Sequence, residues 1–438
     1  MSAQTLADRL VAVFDHLGIG RAHIATQSPG DIAGLVASYR ERIGRVTFTA
    51  PSRVDPTAFA HLGNDLLYIA PEGGMLAGTA NRALPPLEAA GAAKASLIGY
   101  HAESWSDLAA DCPDLVELLS THCSTGPFVD TASGEEQQGE VAGIRYRVIG
   151  DGPVLVLTPL VLAPSQWEPL LPKLAERFRV VTLAGPQLGM LALLEERAAL
   201  ADWRHMCAGA FDALRLKPGG HVLDIGCGSG AIAIQFRQHT AGRNPLTAMD
   251  LSPYLLGEAR IAAEKAGLAD AITFTEGSAE TLPFPDGHFD AAYTVTVFEE
   301  CNAETAFVEL ARVLKPGGRA AVIVRGTDLH QWWNMPLPAD IRAKISLPAA
   351  SVAPGGVASA ALYDMAVAAG FRPLRMHTYT VASERAEGPI MEYPETYALS
   401  LLTPAEQETY RAAKAEAAAA GTLFMTRGHH CFVGELAS

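Results

Sequence analysis

The most restrictive stretch of this chain is Val222 to Gly230, which reads VLDIGCGSG. An apolar run ends in an aspartate, glycine then occupies every second position, and AIAIQF follows at once with helical spacing. A buried strand that feeds a helix through so tight a turn belongs in a parallel sheet covered by helices. Glycines 226, 228 and 230 remove the side chains that would hold a ligand off the backbone, and they permit turn conformations closed to other residues. A ligand can then lie over the strand ends, where parallel sheets place their binding crevice.

The surrounding sequence has the same grammar. HVLDIG, PLTAMD, AITFTEG, FDAAYTV and RAAVIVRG read as buried strands, and AIAIQFRQH, LLGEARIAAEKAG and AFVELARVL alternate with them as helices. The reading is α/β, a Rossmann-like doubly wound domain over 190–438. Ahead of it, Leu191, Leu194, Leu200, Met206 and Phe211 recur at helical spacing and predict one or two lead-in helices. The tail predicts a strand at FRPLRMHTYTV, a helix from Thr403 to Gly421 with Pro404 at its first position and Glu406 closing a capping box, and a last strand at LFMTRGHHCFVG. Between 128 and 142 the polar, acidic TASGEEQQGE is expected to be an exposed connection. After it come a strand, a turn at Gly150-Asp151-Gly152, a buried strand, a helix at LPKLAERF and a strand at RVVTLAG.

Asp250 follows Gly230 by twenty residues at the end of the next strand. A carboxylate there can accept hydrogen bonds from both hydroxyls of a ribose. That spacing alone admits NAD as well as S-adenosylmethionine. The remaining pattern decides between them: glycines spaced GxGxG rather than GxGxxG, Asp224 before the turn, then EGSAETLPFPDGHFD and ARVLKPGG in order.

These residues resemble the class I S-adenosylmethionine-dependent methyltransferases, in particular the group similar to ubiquinone-biosynthesis and other small-molecule enzymes, over about 217 to 326. The resemblance implies that Asp224 orients the methionine amino group and that Gly226, Cys227, Gly228 and Gly230 line the cofactor. It implies that Asp250 holds the ribose and Leu251 packs on the adenine. Ser278, next to Ala279, stands where relatives often carry an acidic residue for the adenine amine, and Thr294 and Val295 lie near the methionine moiety. Where relatives often have a histidine, this chain has Glu300.

A sulfonium methyl is already activated, so the protein has mainly to align the acceptor and exclude water, and a base is needed only for a protonated acceptor. Catalytic candidates beyond the strand ends are Glu299, Glu300 and His330, with Cys301, Trp332, Trp333, Tyr363 and His429 as further candidates for the acceptor site. The two tryptophans suit either an aromatic wall against a flat or cationic acceptor or the core. His429, His430 and Cys431 alternate along a strand, so no metal site is expected.

The N-terminal region resembles an α/β-hydrolase with its parts out of order. LVAVFDHLGIGRAHIATQSPGDIAGLVASYRERIGRVTFTAP (10 to 51) is similar to the nucleophile-elbow region with Ser28 at the serine position, GYHAESW (99 to 105) to the histidine loop with His101, and Glu72 lies near the acid position. The stretch 150 to 189 looks like that fold's early portion yet comes later, as in a circular permutation or a joining of two fragments. Such a domain would span 1–189. Pro29 follows the serine and has no N–H for an oxyanion, Thr26 and Asp31 replace usual glycines, and Pro159-Leu160 stands at the expected oxyanion strand. The expectation is a degenerate domain that serves as a lid, a pocket or a dimerisation module, so that a homodimer is one assembly to test. A bifunctional methyltransferase and ester hydrolase using Ser28 and His101, or a non-catalytic cofactor-binding scaffold, are the alternatives.

A formal net charge of −15 repels phosphate backbones, and no Lys/Arg cluster reverses it locally, so nucleic acid is an unexpected partner. Six cysteines without CxxC spacing argue for reduced thiols. The first residues lack an apolar signal core and the best apolar run, VLVLTPLVLAP, is short and broken by prolines, so the expectation is a cytoplasmic protein with a small-molecule acceptor and no membrane.

Overall fold

The computed structural model describes residues 4–51, 54–74, 77–102, 106–126, 128–350 and 352–437. The chain divides into two compact units, Met1–Leu193 and Leu194–Ser438.

In the first unit the strands are β1 (Ala22–Thr26), β2 (Ile43–Thr49), β3 (Leu66–Gly73), β4 (Ala93–His101), β5 (Thr131–Ala132), β6 (Gln137–Val141), β7 (Ile144–Ile149), β8 (Gly152–Leu157) and β9 (Arg179–Ala184). Among the described residues they form one sheet in the order β4-β3-β2-β1-β8-β9-β7-β6, with β5 beside β8. From β4 through β9 every neighbouring pair is parallel, whereas β7 runs antiparallel to both β9 and β6. β1 and β8 are buried on both faces, which explains their apolar sequences HIAT and VLVL. One face packs against helix Leu6–His16, whose Leu10, Val13 and Phe14 are buried, and the other carries Trp167 and Leu119.

The segment 128–142, expected as an exposed connection, instead contains β5 and the edge strand β6, which pairs with β7 from Gln137↔Val148 to Val141↔Ile144. Its residues are largely exposed. An edge strand with no face to bury needs no apolar period, and polar side chains there keep the edge from recruiting other strands. Its sequence therefore reads as loop.

The second unit contains β10 (Val222–Ile225), β11 (Leu246–Asp250), β12 (Ile272–Glu276), β13 (Phe289–Val295), β14 (Leu314–Arg325), β15 (Trp332–Trp333), β16 (Phe371–Ser383) and β17 (Met425–Leu436). The sheet order is β12-β11-β10-β13-β14-β17-β15, with β16 paired to β17. β12 to β14 are mutually parallel. β17 enters antiparallel between β14 and β16, with Ile323↔Cys431 on one side and Tyr379↔His429 on the other. The order reverses at β10, the central strand, so its C-terminal end opens onto a crevice.

Two helices precede this sheet, Gly189–Ala199 and Ala201–Ala213. The second buries Trp203, Met206, Cys207, Ala210 and Phe211, an i, i+3, i+4, i+7, i+8 stripe that holds it on the sheet. The helix Pro404–Ala419 starts as its sequence requires: Thr403 and Glu406 exchange both capping-box hydrogen bonds. No described helix is long and apolar enough to cross a membrane.

Candidate active site

The turn after β10 builds the site. Gly226, Gly228 and Gly230 take φ of +76°, +54° and +79°, in the left-handed region that only glycine enters without strain. Space makes the same demand, since a Cβ on Gly226 would sit 2.2 Å from Val297 Cγ2. The amides of Gly226 and Cys227 both donate to the Met249 carbonyl, at 2.7 and 2.9 Å, and so pin the turn to the end of β11.

Two carboxylates flank this turn on neighbouring strand tips. Asp224 is buried and accepts a hydrogen bond from the Tyr293 hydroxyl at 2.9 Å. Burial pushes its pKa up to about 8, against the pull of the Tyr293 hydroxyl, and nearby Asp250 adds to the rise. Asp250, also buried, accepts from the Gly228 amide at 2.8 Å and the Ser252 amide at 2.9 Å. Burial raises its pKa too, although these amides oppose the shift. The Cys227 thiol is held well above its ordinary pKa by burial and by both aspartates, so it is a small packing group and not a thiolate nucleophile.

A cavity opens beside the turn. Asp224, Gly226, Cys227, Gly228 and Val295 line it, which brings five of the sequence-derived cofactor residues together. Gly230 caps the following helix, Ala231–His239, and Asp250 reaches the turn through Gly228. Thr294 is buried, and its hydroxyl has no hydrogen-bond partner among the described residues. Leu251 is 52% exposed at the tip of β11, free to cover a flat ring. Ser278 accepts from the Glu280 amide at 3.1 Å, and Ala279 packs in the core. The donor set is suited to a nucleoside carrying an amino acid: one carboxylate for an ammonium, one for a diol, and bare backbone between them.

Residues 223–322 match the family model described as "Methyltransferase domain". This segment is thus similar to methyltransferase domains. Similar curated proteins include sterol 24-C-methyltransferase ERG6B of Gibberella zeae, 40% identical over 104 residues, which are 24% of this chain and 27% of the relative. The ubiquinone/menaquinone biosynthesis C-methyltransferase UbiE of Brucella anthropi is 41% identical over 105 residues, 24% of this chain and 40% of the relative. The 2-phytyl-1,4-naphtoquinone methyltransferase of Synechococcus elongatus is 38% identical over 116 residues, 26% of this chain and 48% of the relative. The chain thus spans between about a quarter and a half of the length of these relatives.

Of the catalytic candidates in and beyond the matched segment, Glu299 is buried and committed to Arg325, at 3.0 Å from its Nε and 3.1 Å from its amide. Glu300 lies 3.7 Å from the same guanidinium. His330 is exposed on the loop after β14, with no hydrogen-bond partner among the described residues. The tryptophan pair splits: Trp333 is buried and packs edge-on against Tyr410, while Trp332 is 48% exposed under the Arg342 guanidinium. Cys301 donates to the Val297 carbonyl. Tyr363 and Asp328 hold His430 at 3.1 and 2.7 Å, whereas His429, on the opposite face of β17, packs edge-on against Trp203.

Sequence reasoning missed Arg197, Trp203 and Ser229, which complete the cavity wall. Arg197 stacks over the Trp203 ring at 4.4 Å. Arg197 and Trp203 sit in a helical lead-in that also carries Glu195, Glu196, Asp202 and Arg204, so nothing in the sequence singles them out.

In the first unit, Ser28 is half-buried and its φ is not positive, and Pro29 enters the helix Gly30–Ser38 at φ −55°. Thr26 Oγ1 accepts from the Ser28 amide at 3.0 Å and from Thr158 Oγ1 at 2.7 Å, and Gln27 bonds Ala50 and Val161. Glu72 accepts from the Gly99 amide, and His101 ends β4. Among the described residues no hydrogen bond joins Ser28 to His101. Residues 103–105 of the expected histidine loop lie outside the described residues.

Proposed function

We propose that the chain is an S-adenosylmethionine-dependent methyltransferase acting on a small-molecule acceptor. The observation that carries this reading is the placement of Asp224 and Asp250 on adjacent strand tips, either side of a glycine turn that tolerates no side chain. When bound, the sulfonium group supplies an electrophilic methyl.

The protein's part is binding, orientation and exclusion of water. Asp224, whose protonated form burial favours, would ionise against the methionine ammonium if that group were bound beside it. Asp250, which already accepts from the Gly228 amide, would also accept from the ribose hydroxyls, and Leu251 would lie against the adenine. Thr294 offers its hydroxyl, which has no partner among the described residues, at the tip of β13. Glu299 and Glu300 fix Arg325 and so shape the acceptor side, a positioning role, while His330 acts only if the loop 326–331 turns it inward.

We read the N-terminal unit as a permuted, non-catalytic α/β-hydrolase-like module. Counted from Gln137 and continued at β1, the strands occupy the order 1-2-4-3-5-6-7-8, and the later segment joins the earlier one through the parallel β8–β1 pair. Ser28 lacks the strained elbow and the following N–H that acyl transfer requires. The acidic charge supports a partner other than nucleic acid.

Calorimetry with S-adenosylhomocysteine tests the central claim. Binding that is lost in Asp224→Asn supports it; no heat with a correctly folded sample overturns it.

A further inference from the structure

Beside the cofactor cavity lies a second one, lined by Arg197, Arg325, Arg427, Trp203, Ser383 and His429 together with apolar side chains such as Leu200 and Ile390. Arg197 and Trp203 belong to both cavities, so the two share a wall. Among the described residues three guanidiniums and no carboxylate line this pocket, in a chain whose net charge is −15. The lining itself is therefore basic.

Arg325 has its counter-charge behind it, in Glu299 at 3.0 Å and Glu300 at 3.7 Å. Arg197 makes no ion pair among the described residues; the Trp203 face holds it instead. Three polar atoms on lining residues have no hydrogen-bond partner among the described residues: Trp203 Nε1, Ser383 Oγ and His429 Nδ1, on residues 1%, 2% and 5% exposed. Buried polar atoms are almost always paired in folded proteins, and a group of unpaired ones at one cavity calls for a ligand that pairs them. An indole N–H and a hydroxyl both donate to anionic oxygens.

We propose that this second cavity is the acceptor site and that it takes a molecule bearing an anionic group, a carboxylate or a phosphate, on an apolar skeleton. The guanidiniums, the indole N–H and the Ser383 hydroxyl receive the anion, and Leu200, Val381, Ile390 and Met425 receive the skeleton. His429 stays neutral beside them, since burial first and the arginines second depress its pKa to about 3. It is thus a hydrogen-bonding group and not a base at neutral pH. As the acceptor site the pocket rests on the methyltransferase reading; as an anion pocket it stands by itself.

The test uses the full-length protein saturated with S-adenosylhomocysteine and titrated with octanoate, octanamide and inorganic phosphate, followed by calorimetry and by Trp203 fluorescence with W203F as the blank. Octanoate is expected to bind about tenfold or more tightly than octanamide. R427Q, whose side chain does not line the cofactor cavity, should cut octanoate affinity by about tenfold while leaving S-adenosylhomocysteine affinity unchanged. R427K should recover most of it, which separates charge from folding. Competition by phosphate assigns the site to phosphate esters, and its absence to carboxylates. Equal affinity for octanoate and octanamide, or binding of neither in a protein that still takes S-adenosylhomocysteine, overturns the proposal. Failure to bind S-adenosylhomocysteine sinks the methyltransferase reading instead, and the octanoate to octanamide ratio still decides the anion pocket.

Discussion

Each unit sends the central strand of a parallel sheet into a helix through a short turn, and the two turns have opposite characters. After β10 the backbone is bare, left-handed at three glycines, and flanked by two buried carboxylates. After β1 the turn Thr26-Gln27-Ser28-Pro29 satisfies the Ser28 amide with its own Thr26 hydroxyl and continues into its helix without a positive φ. The contrast teaches that the position in the fold, outside the carboxyl ends of the strands, is only an opportunity. The turn after β10 leaves a cavity over bare backbone with two carboxylates at hand, whereas the turn after β1 is tied up by the Thr26 hydroxyl.

The largest expected effect comes from filling the open turn. Gly226→Ala puts a methyl against Val297 and forces an alanine to φ +76°. We expect a loss of about 3 kcal/mol in urea melts and no measurable S-adenosylhomocysteine binding. A variant that melts like wild type and still binds would show that the turn tolerates a side chain.

Asp224→Asn separates stability from function. Affinity for S-adenosylhomocysteine should fall by about 100-fold, as expected for a lost buried charge-assisted contact. The apoprotein should become more stable. Because the folded pKa is raised to about 8 from an ordinary 3.8, the folded state holds its proton where the unfolded state has lost it, and wild-type stability falls as pH rises between those values. The difference in Tm between Asn variant and wild type should therefore widen from pH 4 to pH 8 and level off above. A difference independent of pH would contradict the burial argument.

Asp250→Ala removes the acceptor for the Gly228 and Ser252 amides. Expected are a stability loss of about 1 to 2 kcal/mol and weakened nucleoside binding, with Asp250→Asn recovering stability better than affinity. At the closed turn, Ser28→Ala should shift stability by less than about 0.5 kcal/mol and leave cofactor affinity unaltered. A catalytic serine would reveal itself through ester turnover that disappears in this variant.

How much of this was legible depended on sequence distance. The glycine turn, both aspartates and the capped helix at Thr403 are local patterns, in which the residues that interact lie within a few positions or on consecutive strands. The second cavity is not local. Ser383 and Val381 meet Met425 and Arg427 only through the register of β16 on β17, where Ser383↔Met425 and Val381↔Arg427 pair across about forty residues of intervening chain. Arg197 and Trp203 arrive from helices ahead of the domain, and nothing in their local sequence singles them out. Glu299 shows the converse: a carboxylate at a promising strand end proved to be the counter-ion of Arg325. The edge strand β6 was hidden because no burial pattern marks it.

The placement of β17 also sets a clock. It is the last strand of its sheet to leave the ribosome, yet it lies in the interior, hydrogen-bonded on both sides. A growing chain can assemble the nucleoside crevice from β10 to β13 early, but Arg427 and His429 cannot take their places until residue 436 has emerged. During synthesis the glycine turn and its two aspartates can be in place before the second cavity has all its walls.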